Sequence, residues 1–251
     1  MMWGRLLVEN HRGERVPASL GLVLIGPGAA AGALASWATS GEPSVRSWVG
    51  TLASLLVLGA GLVDDLAPPG PRGLRGHLRA LADGRVTTGV VKAFVIGAAS
   101  VVTVAAWPVT SPLARGAGAV LLAASANLWN GLDVRPGRAL KAFLVVGGVT
   151  VGADPSVLRA APTVAGALAA SLPALALDLR ERAMLGDAGA NLLGFTAGLA
   201  LYAALPPAGV VAAATGAVGL NVVAETLTLS RLIGAVPPLR WADRLGRRPD
   251  R

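Results

Sequence analysis

Ser47-Trp48-Val49-Gly50-Thr51-Leu52-Ala53-Ser54-Leu55-Leu56-Val57-Leu58-Gly59-Ala60-Gly61-Leu62-Val63 runs without a charged residue and then meets Asp64-Asp65. A helix needs roughly 20 mostly apolar residues to cross a bilayer, with about 17 as the short limit. The stretch therefore reads as a spanning helix that ends on two carboxylates. Segments of the same character lie on either side of it, at residues 18–38, 89–107, 114–130, 139–153, 160–177, 188–205 and 209–225. The segment at 139–153 is short and rich in glycine. Brief connections with Pro, Gly or charge separate them, such as Gly41-Glu42-Pro43, Pro108 to Pro112, Asp154-Pro155 and Pro206-Pro207. The expected fold is all-α, a polytopic transmembrane helical bundle of about eight spans.

Composition agrees. Of 251 residues, 53% are hydrophobic and 14% charged, with a mean hydropathy of +0.61. A soluble domain carries about 25% charged residues. The absence of cysteine excludes a disulfide framework, a thiolate metal site and a cysteine nucleophile. His11 and His77 make no zinc pattern. The net charge of +8 lacks the basic stripe with interleaved aromatics that nucleic-acid binding needs. Residues 1–17 are polar, so no cleavable signal peptide is expected.

The basic residues set an orientation. With both termini in the cytoplasm, the inner segments hold Arg5, Arg12, Arg15, Arg72, Arg75, Arg79, Arg85, Lys92, Arg135, Arg138, Lys141, Arg180 and Arg182, while outer loops hold Arg46, Arg115 and Arg159. That asymmetry follows the positive-inside rule for a multi-pass plasma-membrane protein. Trp37, Trp48 and Trp107 fall at outer span ends and Trp129 at an inner end, where indoles favour the interface. Small residues within the spans suit close helix packing in lipid. Residues 1–225 then form one transmembrane domain, with cytoplasmic loops at 1–17, 64–88, 131–138 and 178–187. Residues 226–251 form a basic amphipathic tail. Leu229, Leu232, Ile233, Val236, Leu239, Trp241 and Leu245 alternate there with arginines, from Arg231 to Arg251, as expected of an interfacial helix broken at Pro237-Pro238.

Three signals on the inner face carry chemistry. Adjacent carboxylates at a membrane boundary, as at Asp64-Asp65, are costly unless they bind a cation, pair with a base or reach water; alternatively they end a helix in solvent. Asn127, Asn130 and Asp133 recur in steps of three near one helix face, suited to reading a polar head group or to bonding between helices. Asp187, between Gly186 and Gly189, enters the next span either as a ligand or as a helix cap. Carboxylates with a basic rim suit Mg²⁺ bound together with a polyphosphate, and the basic loops suit the anion.

These motifs, in this order, resemble the polyprenyl-phosphate N-acetylhexosamine-1-phosphate transferase family, which includes the phospho-MurNAc-pentapeptide translocases. The resemblance rests on Asn10 to Pro17 as a first cytoplasmic loop, Asp64-Asp65 as an aspartate pair, Asn127 to Asp133 as Asn-x-x-Asn-x-x-Asp, and Leu185-Gly186-Asp187-Ala188-Gly189 as a Gly-Asp-x-Gly segment. It implies Mg²⁺-dependent transfer of a sugar 1-phosphate from a UDP-sugar to a polyprenyl phosphate, with release of UMP, in cell-envelope polysaccharide synthesis. It implies Asp64, Asp65 and Asp187 as catalytic residues, with Asp187 the principal metal ligand and Asp65 supporting it. Substrate-binding positions are Asn127, Asn130, Asp133, Arg135, Arg138, Arg12 and Gly186. The partners implied are the lipid carrier and a nucleotide sugar, with no nucleic acid; a homodimer is compatible. The chain departs from the pattern at Pro136, where the family has a second Asp, at Met184, where it has an aromatic, and in lacking a His-rich loop near the carboxyl end. It is also short by the family's first span and at least one late span. These departures suit an alternative, a catalytically impaired relative that binds the lipid carrier or scaffolds a partner. A small transporter is a third reading, disfavoured by the scarcity of mid-span charge.

Overall fold

A computed structural model describes residues 6–41, 43–68, 70, 73–108 and 111–248. The side chain of Arg75 and all of Arg5, Glu42, Arg72 and Arg251 lie outside the described residues, as does part of the 108–112 turn. The protein is 77% helical with almost no strand, which makes it all-α in class. A π-helical turn, Gly21–Ile25, leads into α1, Gly26–Ser40. The longer helices that follow are α2 (Val45–Leu66), α4 (Thr88–Ala105), α5 (Pro112–Leu132), α6 (Arg138–Ala153), α8 (Thr163–Leu179), α9 (Gly186–Ala204) and α10 (Pro207–Thr226). Shorter helices are α3 (Gly73–Ala82), α7 (Val157–Ala160), α11 (Leu229–Ala235) and α12 (Pro237–Arg244).

Capping chemistry sets several starts. Ser44, Thr87 and Ser111 each accept a backbone N–H from the first turn of α2, α4 and α5. Pro112 and Pro207 open α5 and α10, where a proline's missing N–H costs nothing.

Every segment expected to span is helical. Four are long and apolar enough to cross a membrane: Gly21–Thr39, Val45–Leu66, Thr88–Ala105 and Pro207–Glu225. The helices α6 and α8 are shorter, at 16 and 17 residues. The central helix is α9, with α2 and α5 packed along it and α6 and α8 also touching it. Most of its residues are buried, including Asn191, Thr196, Gly189, Gly194 and Gly198. Packing against protein, not lipid, explains why so small-residue and polar a helix holds the centre. The outward faces carry large apolar side chains instead, among them Leu34, Leu52, Leu56, Phe94, Val101, Val145, Val149 and Leu172. An exterior of this kind is rare on a water-exposed monomer.

The structure departs from the sequence reading in three places. The first loop is a β-hairpin, with β1 (Leu7–Glu9) antiparallel to β2 (Arg15–Pro17). Asn10 Oδ1 accepts the N–H groups of Arg12 and Glu14, and Gly13 takes a positive φ, so the polar loop organises itself. The hairpin is tied onward to the segment before α9: Met184 N–H donates to Pro17 O, and Ser19 and Leu20 N–H to Met184 O. Second, Trp129 and Trp107 stand near helix ends as read, but are buried against protein, at 5% and 7% exposure. Trp129 Nε1 donates to Ala139 O. Trp107 packs edge-on to Tyr202 under the Arg46 guanidinium. Third, the tail is broken near Pro237 as expected, but it folds back onto the α5–α6 connection, as described next.

Candidate functional site

Helix ends bring the sequence signals together. The carboxyl ends of α2 and α5 and the amino ends of α4 and α9 meet at one end of the bundle. Close approach is possible because Gly61 on α2 has no side chain. A Cβ there would lie 2.6 Å from Ala188 Cα and from Asp187 O. The crossing delivers Asp64 and Asp65 to the amino end of α9.

The two aspartates have different partners. Asp65 Oδ1 accepts the Asp187 N–H at 2.8 Å and Oδ2 accepts the Ala188 N–H at 2.9 Å. It therefore caps α9 from another helix, satisfying N–H groups that a helix start leaves unpaired and meeting the positive end of its dipole. Gly186, at φ +71°, makes the turn into α9, and a Cβ there would sit 2.9 Å from Asp65 Oδ2. Asp64 instead forms an ion pair with Lys92 Nζ at 2.6 Å. The same ammonium donates to Asp187. Asn191 Nδ2, one turn further along α9, donates to Asp187 O. The result is one partly buried ammonium between carboxylates that arrive from two distant motifs.

Asp133 caps the carboxyl end of α5. Burial pushes its carboxyl well above the usual carboxylate range. The negative charges of Asp178, Asp187 and Asp65 push the same way, against an N–H donated by Gly186. Asp133 thus belongs to the carboxylate group electrostatically. Asn130 is half-buried one turn earlier. Asn127 is turned elsewhere: its Nδ2 donates to Asn221 Oδ1 on α10, and Asn221 in turn donates to Ala124 O and Ala217 O. The expected single face of two amides and a carboxylate is split between two neighbours.

The expected basic residues are held by protein. Arg138 is 7% exposed and grips Asp243 with Nε and Nη2 while Nη1 donates to Ser230. Arg12 Nε lies 3.1 Å from Glu181 Oε2, an oxygen that also accepts from Asn10 Nδ2. Glu181 holds a left-handed φ of 56°, which costs about 1–3 kcal/mol in a non-glycine residue and marks a constrained turn. A small cavity there is lined by His11, Arg135, Pro136, Asp178, Glu181 and Met184. It collects the positions where the chain departs from the family pattern. Burial lowers the His11 pKa, against the charge of Glu181 and with the charges of Arg135, Arg12 and Arg247.

Sequence reasoning placed Lys92 only among the inner-face charges. Its position just inside an otherwise apolar helix was a usable signal, because a charge there requires a partner. Asn191, Asn221 and Glu181 carried no comparable signal. Among the described residues, no three His, Cys, Asp or Glu side chains are grouped so as to hold a metal ion. Asp64 and Asp187 nevertheless share a cation, the Lys92 ammonium, and so have the donor chemistry that Mg²⁺ needs when phosphates complete its shell. Asp65, committed to the start of α9, fits positioning better than ligation. Comparison with known proteins finds no matching family model, no matching curated protein and no matching solved structure.

Proposed function

We propose that the protein is a phosphoglycosyltransferase of eight membrane spans with both termini in the cytoplasm. It would transfer a sugar 1-phosphate from a UDP-sugar to a polyprenyl phosphate at the inner face of the plasma membrane. The observation that carries this reading is the convergence of Asp64 and Asp187 on Lys92 beside the Asp65-capped start of α9. The motif order that resembles the transferase family supports it.

In this reaction an oxygen of the lipid phosphate attacks the sugar-bearing phosphorus of the donor. A new P–O bond forms, the P–O bond to the nucleoside phosphate breaks, and UMP leaves with its electron pair. Asp64 takes the proton of a monoprotonated lipid phosphate. The Lys92 ammonium faces two incoming anions and offsets their repulsion. Asp65 fixes the angle of α9, and so fixes where Asp187 stands. Asp187 would chiefly hold Mg²⁺, which when bound would supply charge neutralisation on the diphosphate. The remaining contribution is alignment of two anions.

A second reading has its own observation. Lys92 fills the space between Asp64 and Asp187, and Arg138 is engaged by Asp243. Both suit a relative that binds the lipid carrier without turnover. Purified protein with undecaprenyl phosphate, Mg²⁺ and a panel of UDP-N-acetylhexosamines is the test. Metal-dependent UMP release that falls at least 10- to 100-fold in Asp187→Ala, the scale of a lost metal contact, supports the transferase. Full activity in both Asp187→Ala and Asp64→Asn overturns it. Retention of the lipid with no release from any nucleotide sugar supports the second reading.

A further inference from the structure

The carboxyl-terminal arm begins where α10, one of the helices long and apolar enough to span, comes to an end. Leu229 buries itself in the core beside Trp129 and Leu140. Beyond it the arm has little core packing, and α12 has no buried residue. Polar contacts hold it instead. Asp243 pairs with Arg138 at 2.8 Å and with Arg247. Lys141 Nζ donates to the carbonyls of Ala242, Asp243 and Leu245 at the carboxyl end of α12, where the helix dipole favours a cation. Arg247 Nε donates to Pro136 O. One face of the arm is therefore strapped across the α5–α6 connection.

The other face is not explained by these contacts. Trp241 sits two residues from Asp243, about 200° around a helix of 3.6 residues per turn. It is 68% exposed, and Leu245, just past the end of α12, is 55% exposed; Leu239, 47% exposed, lies about 40° from Asp243 and flanks the strapped face. Arg231, Arg240 and Arg244 are exposed with them. The arm's one described carboxylate, Asp243, is already paired. An exposed tryptophan and leucine framed by arginines complement the headgroup region of an anionic bilayer: indole and leucine at the acyl boundary, guanidinium groups on lipid phosphates. Continuity with α10 puts the arm at the depth where such a surface lies.

We infer that residues 227–248 form an arm that docks on anionic membrane lipid through Trp241, Leu245 and the long side chains of Arg240 and Arg244, while Asp243 fastens it to the 134–141 connection. A lipid contact on one face of α12 thereby bears on Arg138 and Pro136 on the other. The docking does not depend on the transferase reading.

The test uses the full chain in nanodiscs of phosphatidylcholine alone or with phosphatidylglycerol, each containing brominated acyl chains. Trp241 emission is isolated by subtracting the Trp241→Phe protein. Bromine quenching of Trp241 should be stronger in the anionic discs and should weaken with added salt. Each arginine near an anionic surface is worth about a 5-fold change in the docking equilibrium, so Arg240→Gln with Arg244→Gln should lower it roughly 25-fold. Equal quenching in neutral and anionic discs, or no change in the double variant, overturns the proposal. Because emission and not turnover is read, an inactive protein leaves this outcome legible. Circular dichroism of each variant guards against simple unfolding.

Discussion

Replacing Lys92 by Met removes the charge and keeps most of the apolar stem, so the site loses its bridging cation with little change in volume. The side chains of Lys92, Asp64 and Asp187 are 13%, 19% and 32% exposed. Removing one partner from a buried ion pair costs about 3–5 kcal/mol, because the charge left behind is neither solvated nor paired. Here two carboxylates are left facing one another, which adds repulsion. The partial exposure of Asp187 admits water and trims the cost. About 3 kcal/mol is the expected net loss, toward the low end of the buried range. For a chain of this size 1 kcal/mol moves Tm by about 2–4 °C, so Lys92→Met should unfold about 6–12 °C lower in detergent at pH 7 with chelator present. Neutralising one carboxylate should relieve the repulsion, so adding Asp64→Asn to Lys92→Met should recover most of the loss. Millimolar Mg²⁺ should raise the Tm of Lys92→Met more than that of the parent, since the vacated carboxylate pair then takes a cation. Tryptophan emission during a thermal ramp reads all three proteins, with and without Mg²⁺. A Lys92→Met protein within about 2 °C of the parent, or no recovery in the double variant, would refute the claim that the ammonium holds the two carboxylates together.

Three further outcomes follow from the same geometry. Asp133 has a carboxyl raised by burial and by neighbouring carboxylates; a group raised in the fold costs stability once pH exceeds its unfolded value, about 3.9. Asp133→Asn should therefore raise Tm at pH 7 while lowering turnover if the transferase reading holds, and a lowered Tm in thermal unfolding counts against the electrostatic account. Gly61→Ala places a Cβ 2.6 Å from backbone atoms that cannot yield; overpacking costs about 1–3 kcal/mol, and faster hydrogen exchange at the start of α9 is the readout, since the Asp65 cap is displaced with α2. Burial acts to raise Asp243, but hydrogen bonding to Arg138 and the charges of Arg138, Arg247 and Lys141 outweigh it and hold its carboxyl below the usual range. That attachment is present above about pH 4 and is lost as pH falls through the depressed value, so Asp243→Asn should free the arm to proteases at neutral pH; unchanged cleavage within residues 230–248 would contradict the strap.

Periodicity and apolar runs made the long helices legible, and their observed limits lie close to the segments read from sequence. The break near Pro237 was legible too, because proline cannot continue a helix that needs its N–H. The convergence of Asp64, Asp65 and Asp187 followed from counting alternating helices between motifs. What the sequence did not disclose depends on contacts between distant segments. The hairpin at Leu7–Pro17 has strands of three residues, too short to show alternation, and its third hydrogen-bonding partner is Met184. Trp129 looks like an interfacial indole until Ala139 O supplies the acceptor that lets it be buried. Asp65 and Asp64 are neighbours of one kind in sequence, and only the crossing at Gly61 gives one a helix terminus and the other a lysine. Arg138 reads as an anion-binding residue, and the partner that claims it lies in the tail.

The placement of charge separates the candidate classes more sharply than the motifs do. A transporter of this size would need ionisable groups near the middle of its helices, where substrate must be released to either side. Lys92, Asp64 and Asp187 instead stand near the ends of α4, α2 and α9, where the proposed reading needs the lipid phosphate to lie. That placement suits the transferase and the lipid-binding proposals equally well. The difference between the two lies in whether the Lys92 ammonium yields its place between the carboxylates. Its four-carbon stem is flexible, and swinging it from Asp187 onto an incoming phosphate exchanges one anion for another at the ammonium and leaves the Asp187 carboxylate open to a second cation. If Asp64 stays with Lys92 during that exchange, Asp187 is the residue that would be left to hold a divalent ion. A protein that binds without turnover would keep all three together. Where the parent turns over, Lys92→Arg tests the exchange: the wider guanidinium can grip both carboxylates at once, so it should preserve Tm and lipid binding but abolish Mg²⁺-dependent turnover, and undiminished turnover would refute the exchange.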